Sequence, residues 1–372
     1  MSDLVALALG VGDVVRANAD AGERGRRLPQ ATLDVLVAAG LMRMCVPAVY
    51  DGPAADPVTV VRAIEALAHA DGAAGWCSMI ASTTSSMASF LPADAAQELY
   101  GDPDVVTGGV FAPNGAGHAD GDAVVVTGRW AWGSGTQHCR WILGGAQIDD
   151  GTFRLCWFAD GDVTFHDTWH TSGLRGTGSL DFSVDGARVP VERTVQPGVT
   201  LPVVDGPLAA FPNFGLLAAG VAAVNLGVGR RALDEVEELA GSKQPQFSSR
   251  SLARSGFTQI EISRAEARLR AGRAYLLDEL AMAWARAEAG ERIGLDTRRA
   301  IRAAALAAAE AGAHAADTAY TLAGGTSVYE SSVLQRCFRD AHVATQHIMV
   351  APKLHETLGK LWLGLEAETR NL

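Results

Sequence analysis

The sequence predicts a mostly helical α+β protein in which a β-module separates two helical regions. Residues 1–105 and 206–372 place apolar side chains at helical spacing, whereas residues 106–205 consist of short β-branched and aromatic runs between Gly and Asp turns. Short loops between the long helices of the last region favour an antiparallel bundle. We therefore expect an N-terminal helical domain, a central β-barrel or sandwich and a C-terminal four-helix bundle, with those boundaries.

Composition supports a globular chain and argues against several classes of partner. The 372 residues are 48% hydrophobic, which is enough for a sizeable core in two or three domains. A net charge of −11 disfavours nucleic acid and anionic membranes. The five cysteines form no C-x-x-C pair, so neither a disulfide framework nor a metal site is expected. The apolar N-terminus lacks basic residues and is interrupted by Asp13, so we expect no signal peptide and a cytoplasmic protein.

The first region contains several helical patterns. Apolar residues recur at helical spacing over residues 4–15 and again over residues 33–37. Asp56 and Pro57 open a further helix, since aspartate is a preferred N-cap and proline is tolerated at the first helical position. The small-residue segment over residues 73–90 predicts a fully buried helix.

The β-module is centred on residues 124–146, VVVTGRWAWGSGTQHCRWILGGA, which predict two strands joined by a Gly-Ser-Gly corner. Gly133 and Gly135 have no Cβ, so the backbone can turn sharply beside a flat ligand. Ser134 places a hydroxyl between them. Two interpretations of the three tryptophans stay open: a surface for a conjugated ring system, or side chains that fill the core of a hairpin.

Helical patterns return in the third region. Residues 260–284, 301–322 and 333–363 each predict a long helix. Small residues are dense in AAALAAAEAGAHAA, which permits close approach of helices and packing between subunits.

Four segments resemble, in the same order along the chain, signatures of the acyl-CoA dehydrogenase superfamily of flavoproteins. They are LPQATLDVLVAAGLMRMCVPAVYDG, VTGRWAWGSG, WHTSGLRGTGSLDFSVDGARVP and LAGGTSVYESSVLQRCFRDAH. The resemblance spans most of the chain. It implies the three-part fold predicted above and a homotetramer.

Within that superfamily, the pattern GRWxWxSGxxHCxW and the C-terminal RDAHxxxQH are more similar to the flavin-dependent monooxygenase branch. This resemblance implies an oxygenase component that receives reduced flavin, FMN or FAD, from a separate reductase. It also implies reaction with O2 through a flavin C4a-hydroperoxide that hydroxylates or oxidises a small aromatic or related substrate.

The dehydrogenase branch needs a carboxylate base to take the α-proton of an acyl thioester. The segment where the resemblance would place it, HVATQHIMVAP, contains no acid, and the family's other position falls near Gln246, also without one. Two alternatives stay open: an acyl-CoA dehydrogenase that uses FAD with a displaced base, and a catalytically silent subunit.

Three residues are candidates for the chemistry. Ser134 is expected, by resemblance, near flavin N5. His347 lies close to the position of the missing acid and is a candidate acid or base, because histidine titrates near neutral pH. The alternative for His347 is a core histidine bonded to a helix carbonyl. His138 is the third candidate, with packing in a strand as its alternative.

The resemblance also implies binding residues. The expected flavin contacts are Phe111, Ala112, Pro113, Asn114, Trp132, Gly133 and Ser134. Arg175 lies in a flexible loop that could meet a phosphate or a substrate acid, and Gln259 could hold the nucleotide half of FAD in a neighbouring subunit. Hydroxyls that could bond substrate, or bond within their own helix, belong to Thr84, Ser85 and Ser86. Related hydroxylases tend to carry a histidine there, which leaves a non-phenolic substrate open.

Overall fold

The computed structural model describes residues 3–372, and its N-terminal part is helical. Aspartates begin several helices: Asp3 accepts hydrogen bonds from backbone N–H groups of α1, Asp56 of α4 and Asp71 of α5. These carboxylates satisfy N–H groups that the first turn of a helix leaves without a partner. The helices before the sheet are α1 (Leu4–Gly10), α2 (Gly12–Gly25), α3 (Gln30–Ala38), α4 (Pro57–Ala70), α5 (Gly72–Ser85) and α6 (Ala93–Tyr100).

The central part is one seven-stranded mixed sheet in the order β5-β6-β2-β1-β3-β4-β7. Its strands are β1 (Thr107–Asp120), β2 (Ala123–Gly133), β3 (Trp141–Ile148), β4 (Phe153–Ala159), β5 (Thr164–His166), β6 (Leu180–Pro190) and β7 (Thr194–Val195). The predicted mostly helical fold with a central β-module is confirmed, while the limits at residues 105 and 205 stay a proposal.

The two arms of the Gly-Ser-Gly corner do not pair with each other. Strand β1 lies between them, antiparallel to β2 and parallel to β3. The left-handed Gly135 and a 3₁₀ turn over Thr136–His138 carry the chain across β1, so the hairpin alternative is wrong. Strands β1 and β3 are parallel neighbours, and parallel strands need a connection that crosses over, whereas a two-residue turn joins only antiparallel strands.

The C-terminal part is a helical bundle formed by α8 (Asn213–Ser242), α9 (Gly256–Glu288), α10 (Leu295–Ala323), α11 (Val333–Ala344) and α12 (Leu354–Trp362), which the short α7 (Pro207–Ala210) precedes. Helices α8 and α10 pack closely: a Cβ on Gly229 would lie 2.6 Å from the carbonyl oxygen of Gly312. By length and composition α8 could cross a membrane, but 83% of its most apolar window is buried inside the protein, as in a core helix.

The single helix predicted over residues 333–363 is wrong, because α11 ends at Ala344 and α12 starts at Leu354. Between them lies a 3₁₀ turn over Ile348–Val350, followed by Pro352, which has no backbone N–H and cannot continue a helix. His347 therefore sits at the start of a turn and not on a helix face.

Candidate active site

The centre of β1 has no partner in the sheet. Pairing with β3 is interrupted between Val110 and Gly115, and pairing with β2 begins only at Gly115. Residues 111–114 therefore form an irregular part of β1 that is not in register with residues of either neighbouring strand. Gly145 allows this path, because a Cβ there would lie 2.7 Å from the carbonyl oxygen of Ala112. Phe111 is half-buried, and the next three side chains are exposed, as a contact surface for a flat ring requires.

The tryptophans of the corner have different roles. Trp130 is fully buried, donates its indole N–H to the carbonyl of Gly145 at 2.9 Å and stacks on Phe182. Trp132 is 72% exposed and has a φ of 65°, in the left-handed region that is costly for a residue with a Cβ. The core-filling interpretation therefore holds for Trp130, while Trp132 projects outward at the rim of the corner.

Ser134 belongs to a buried chain of hydrogen bonds. Trp76 of α5 donates its indole N–H to the Ser134 hydroxyl at 3.0 Å. Ser134 and Ser179 hydroxyls are 2.7 Å apart, Ser179 and Thr177 hydroxyls are 2.6 Å apart, and Thr177 donates to the carbonyl of Leu174 at 2.8 Å. All four polar side chains are buried, so water does not compete with these bonds.

Backbone contacts hold the corner against the same loop. Gly135, with a φ of 68°, donates its N–H to the carbonyl of Thr177 at 2.9 Å. The Thr136 hydroxyl donates to the carbonyl of Gly133 at 2.6 Å. The corner and the loop that carries Thr177 therefore form one rigid unit.

His347 reaches the same region from the C-terminal bundle. Its ring meets Trp76 edge-on, with ring centres 5.6 Å apart. The Nδ1 atom accepts the backbone N–H of Met349 at 3.3 Å, so the proton of the neutral ring lies on Nε2. Burial, helped by the charge of Arg302, lowers the pKa of His347 to about 4. At neutral pH the ring is uncharged, and Nε2–H is a hydrogen-bond donor.

Arg302 of α10 lies behind this turn. The guanidinium is buried and donates to the carbonyl of Met349 at 3.1 Å and to the carbonyl of Asn371 at 2.8 Å. Burial alone lowers its pKa, to about 10, with no carboxylate acting on it in the described part of the chain. Arg302 therefore fixes the His347 turn to α10 and to the C-terminal residues.

The other polar candidates lie at varying distances from this centre. His138 lies in the 3₁₀ turn Thr136–His138 and not in a strand, and burial together with the charge of Arg27 lowers its pKa to about 4, so the ring is neutral at pH 7. Ser85 and Ser86 donate to carbonyls three residues back, at 2.7 Å each, which is the bonding within the helix that was the alternative for these hydroxyls. Thr84 is buried beside them.

The two residues expected to contact phosphate or nucleotide lie in different parts of the fold: Arg175 belongs to the 3₁₀ turn that carries Thr177, and Gln259 belongs to α9. Arg175 lines a small crevice with Arg336 and with three carboxyl side chains, those of Glu23, Asp71 and Asp340, which disfavour an anion there. Gln259 is exposed near the start of α9 and donates to the carbonyl of Ala253 at 2.9 Å. It lines a cavity of about 370 Å³ on the outside of the bundle.

Sequence reasoning singled out Ser134 and His347 but not the residues that join them. Trp76 touches both, through its N–H and its ring edge. Ser179 lies within the quoted segment WHTSGLRGTGSLDFSVDGARVP, whose local pattern gave no sign that its hydroxyl faces Ser134. A tryptophan beside a run of small residues was the available signal for Trp76.

Two family models match the chain: the acyl-CoA dehydrogenase N-terminal domain over residues 11–98 and the acyl-CoA dehydrogenase C-terminal domain over residues 219–352. Among curated relatives, an indole-3-acetate monooxygenase of Pseudomonas putida is 31% identical over 95% of this chain and 92% of its own length. The oxygenase subunit HsaA of a flavin-dependent monooxygenase from Rhodococcus jostii is 28% identical over 91% of this chain and 92% of its own.

Solved structures agree with these relatives. The 3-HSA hydroxylase from Rhodococcus sp. RHA1 superposes with a TM-score of 0.92 at 26% identity, over 100% of this chain and 99% of that one. XiaF from Streptomyces sp., in complex with FADH2 and glycerol, gives a TM-score of 0.94 at 26% identity, over 99% and 97%.

Proposed function

Because this chain belongs to the acyl-CoA dehydrogenase family, and within it to the oxygenase components of two-component flavin-dependent monooxygenases, we propose that it hydroxylates a small aromatic substrate with FADH2 and O2. In the balanced reaction one oxygen atom enters a substrate C–H bond and the other leaves as water, while FADH2 becomes FAD. Reduced flavin supplies the two electrons for this cleavage of O2.

The observation that carries the proposal is the convergence of three parts of the fold on one small region. The sheet contributes the partnerless segment 111–114 and the corner at Ser134. Helix α5 contributes Trp76, and the turn after α11 contributes His347. Phe214, at the start of α8, contacts Phe111 with ring centres 6.4 Å apart. These aromatic rings supply the apolar walls that exclude water from an oxygenation site.

We assign roles to the residues on this basis. The backbone of residues 111–114 meets the polar edge of the flavin ring, and Ser134 faces N5. Neutral His347 donates its Nε2–H to an acceptor group on the substrate, a role that its lowered pKa preserves at neutral pH. We propose this donor role for His347 in place of the acid or base role predicted from the sequence, because a ring with a pKa of about 4 is neutral at pH 7.

The relatives bear on flavin and substrate. XiaF, at 26% identity, is in complex with FADH2, which supports FAD over FMN. Indole-3-acetate is the substrate named for the relative that is 31% identical, so it is the first compound to test.

We also propose a cytoplasmic homotetramer. Helix α9 carries exposed apolar side chains that an isolated subunit would leave in water, among them Phe257, Ile260 and Met282. Light scattering of the purified protein measures the assembly, and a monomer at micromolar concentration would contradict it.

The test of function uses chemically reduced flavin, which removes the need for a reductase. The protein is mixed with FADH2 or FMNH2, ¹⁸O2 and a panel containing indole-3-acetate, simple phenols and an acyl-CoA. We expect a product that gains one ¹⁸O atom, with FADH2 more effective than FMNH2. Hydrogen peroxide as the only product with every compound and both flavins would refute the hydroxylase. Reduction of bound FAD by the acyl-CoA would favour a dehydrogenase.

A matched pair of variants tests His347. His347→Asn keeps a side-chain acceptor for the Met349 N–H, since asparagine is a good N-cap, but removes the Nε2 donor. We expect product formation to fall about 100-fold. The control is His342→Asn, because the half-exposed His342 of α11 pairs with Asp317 of α10 and does not contact Trp76 or Ser134. Equal loss in both variants would show a general effect on the helix and not a role in the site.

A further inference from the structure

When all three hydroxyl contacts are hydrogen bonds, the buried chain that ends at Ser134 has a single arrangement of protons. The carbonyl of Leu174 can only accept, so the single Thr177 hydroxyl proton points to it. Thr177 must then accept from Ser179, 2.6 Å away, and Ser179 must accept from Ser134, 2.7 Å away. Each hydroxyl has one proton, and each proton is used.

The other end of the chain agrees with this direction. The indole N–H of Trp76 can only donate, and it occupies one lone pair of the Ser134 oxygen at 3.0 Å. Ser134 therefore has its proton committed to Ser179 and one lone pair left. Ser134, Ser179 and Thr177 are 6%, 2% and 1% exposed, so water cannot take over any of these bonds.

We propose that Ser179 and Thr177 are positioning residues that make Ser134 a hydrogen-bond acceptor toward flavin N5, and so make the site prefer reduced over oxidised flavin. This inference rests on the proposed function. N5 of reduced flavin carries a proton that Ser134 can accept. N5 of oxidised flavin carries a lone pair, which would face another acceptor. The preference suits a subunit that takes up reduced flavin and releases oxidised flavin.

The decisive variant is Ser179→Ala, which removes the acceptor of the Ser134 proton without touching Ser134. The freed proton can then point to N5 of oxidised flavin. We expect the Kd for FAD to fall about fivefold while the Kd for FADH2, measured anaerobically, changes less than twofold. The midpoint potential of bound flavin should shift to a lower value, since the oxidised form gains affinity.

Two further variants complete the test. Thr177→Val removes the next acceptor and should shift the ratio of the two Kd values in the same direction, and it replaces Ser179→Ala if that variant does not fold. Thr177→Ser keeps the hydroxyl and should retain the ratio of the unmodified protein. A folded Ser179→Ala or Thr177→Val protein with an unchanged ratio and potential overturns the inference. If the unmodified protein binds neither flavin, the proposed function itself fails.

Discussion

Leu174 lies between two buried polar networks, one neutral and one charged, and its backbone carbonyl and N–H each bond to one of them. Its carbonyl accepts from Thr177 and ends the hydroxyl chain that starts at Ser134. Its N–H donates to the Asp340 carboxyl, 2.6 Å away. Beyond Asp340 lies a narrow crevice lined by acidic and basic side chains, among them Asp71 and Arg336. One loop thus connects a neutral network beside the site with a charged network beside the N-terminal helices.

The difference lies in what pH does to each network. The hydroxyl chain has no group that titrates near neutral pH, so its direction does not change. In the charged network, burial raises the pKa of Asp340 to about 7 and that of Asp71 to about 6, although Arg336 opposes both shifts. A network that sets a hydrogen-bond direction is best built from neutral groups, whereas a carboxyl that caps a helix or fixes a loop tolerates partial protonation.

Asp340→Ala should break the charged network with the largest effect on stability. It leaves the buried N–H of Leu174 without an acceptor and removes one of the carboxyls whose charge acts on Arg336, while Asp20 and Asp71 remain. We expect the free energy of unfolding to fall by about 3 kcal/mol. Urea unfolding measures it, and Asp340→Asn, which keeps an acceptor oxygen, is the matched control and should lose about 1 kcal/mol. Equal losses would show that the hydrogen bond to Leu174 contributes nothing.

The same network predicts a pH dependence of stability. Asp340 and Asp71 have pKa values in the folded protein above their usual 3.8, so the folded state binds more protons than the unfolded state between about pH 4 and pH 7. Stability from these groups is therefore present at low pH and is lost as pH rises through that window. Each pKa unit by which a carboxyl is raised corresponds to about 1.4 kcal/mol of stability lost across this window.

The pH dependence of the unfolding free energy is measured for the unmodified protein and for Asp340→Asn. The comparison isolates Asp340, because the other carboxylates contribute equally to the pH dependence of both proteins. The difference in unfolding free energy between pH 5 and pH 7.5 should be smaller in the variant. An identical pH slope would mean that Asp340 is ionised throughout the range.

Ser134→Ala tests the stability that the neutral hydroxyl chain contributes. The change removes the acceptor for Trp76 and the donor for Ser179, and leaves their buried polar groups unpaired. We expect a loss of about 1.5 kcal/mol of unfolding free energy, with the same value at pH 5 and pH 7.5 because no titrating group is involved. A loss that differs by more than about 1 kcal/mol between the two pH values would connect the chain to the carboxyl pair.

The smallest expected effect is the change in the protonation of His347 with pH. The His347 ring contacts Trp76, which belongs to the neutral network. Because its pKa is lowered to about 4, its ring should not titrate between pH 5.5 and pH 8. NMR of ¹⁵N-labelled histidine, assigned with His347→Asn, should show a constant neutral tautomer protonated on Nε2. A midpoint near pH 6.5 would instead assign the ring to a solvated position.

Much of the architecture followed from periodicity in the sequence. The change from helical spacing to short β-branched runs and back placed the β-module at residues 106–205, and the observed strands run from Thr107 to Val195. The Asp56–Pro57 pair marked the start of α4. Strand pairing did not follow, because the chain crosses β1 between the two arms of the corner and local pattern carries no record of a parallel neighbour. The break before α12 did have a signal, Pro352, whose effect the apolar stripe on either side obscured.

The sequence by itself determined which residue types stand at the site: glycines that let the corner turn, a serine between them, and a histidine where a dehydrogenase would need an acid. Only the tertiary structure decided what those groups can do. The direction of the Ser134 hydroxyl depends on Trp76 and Ser179, which are 58 and 45 residues away along the chain, and the protonation of His347 depends on burial and on Arg302. Hydrogen-bond direction and pKa are properties of the surroundings in space, and those surroundings exist only once distant segments have packed together.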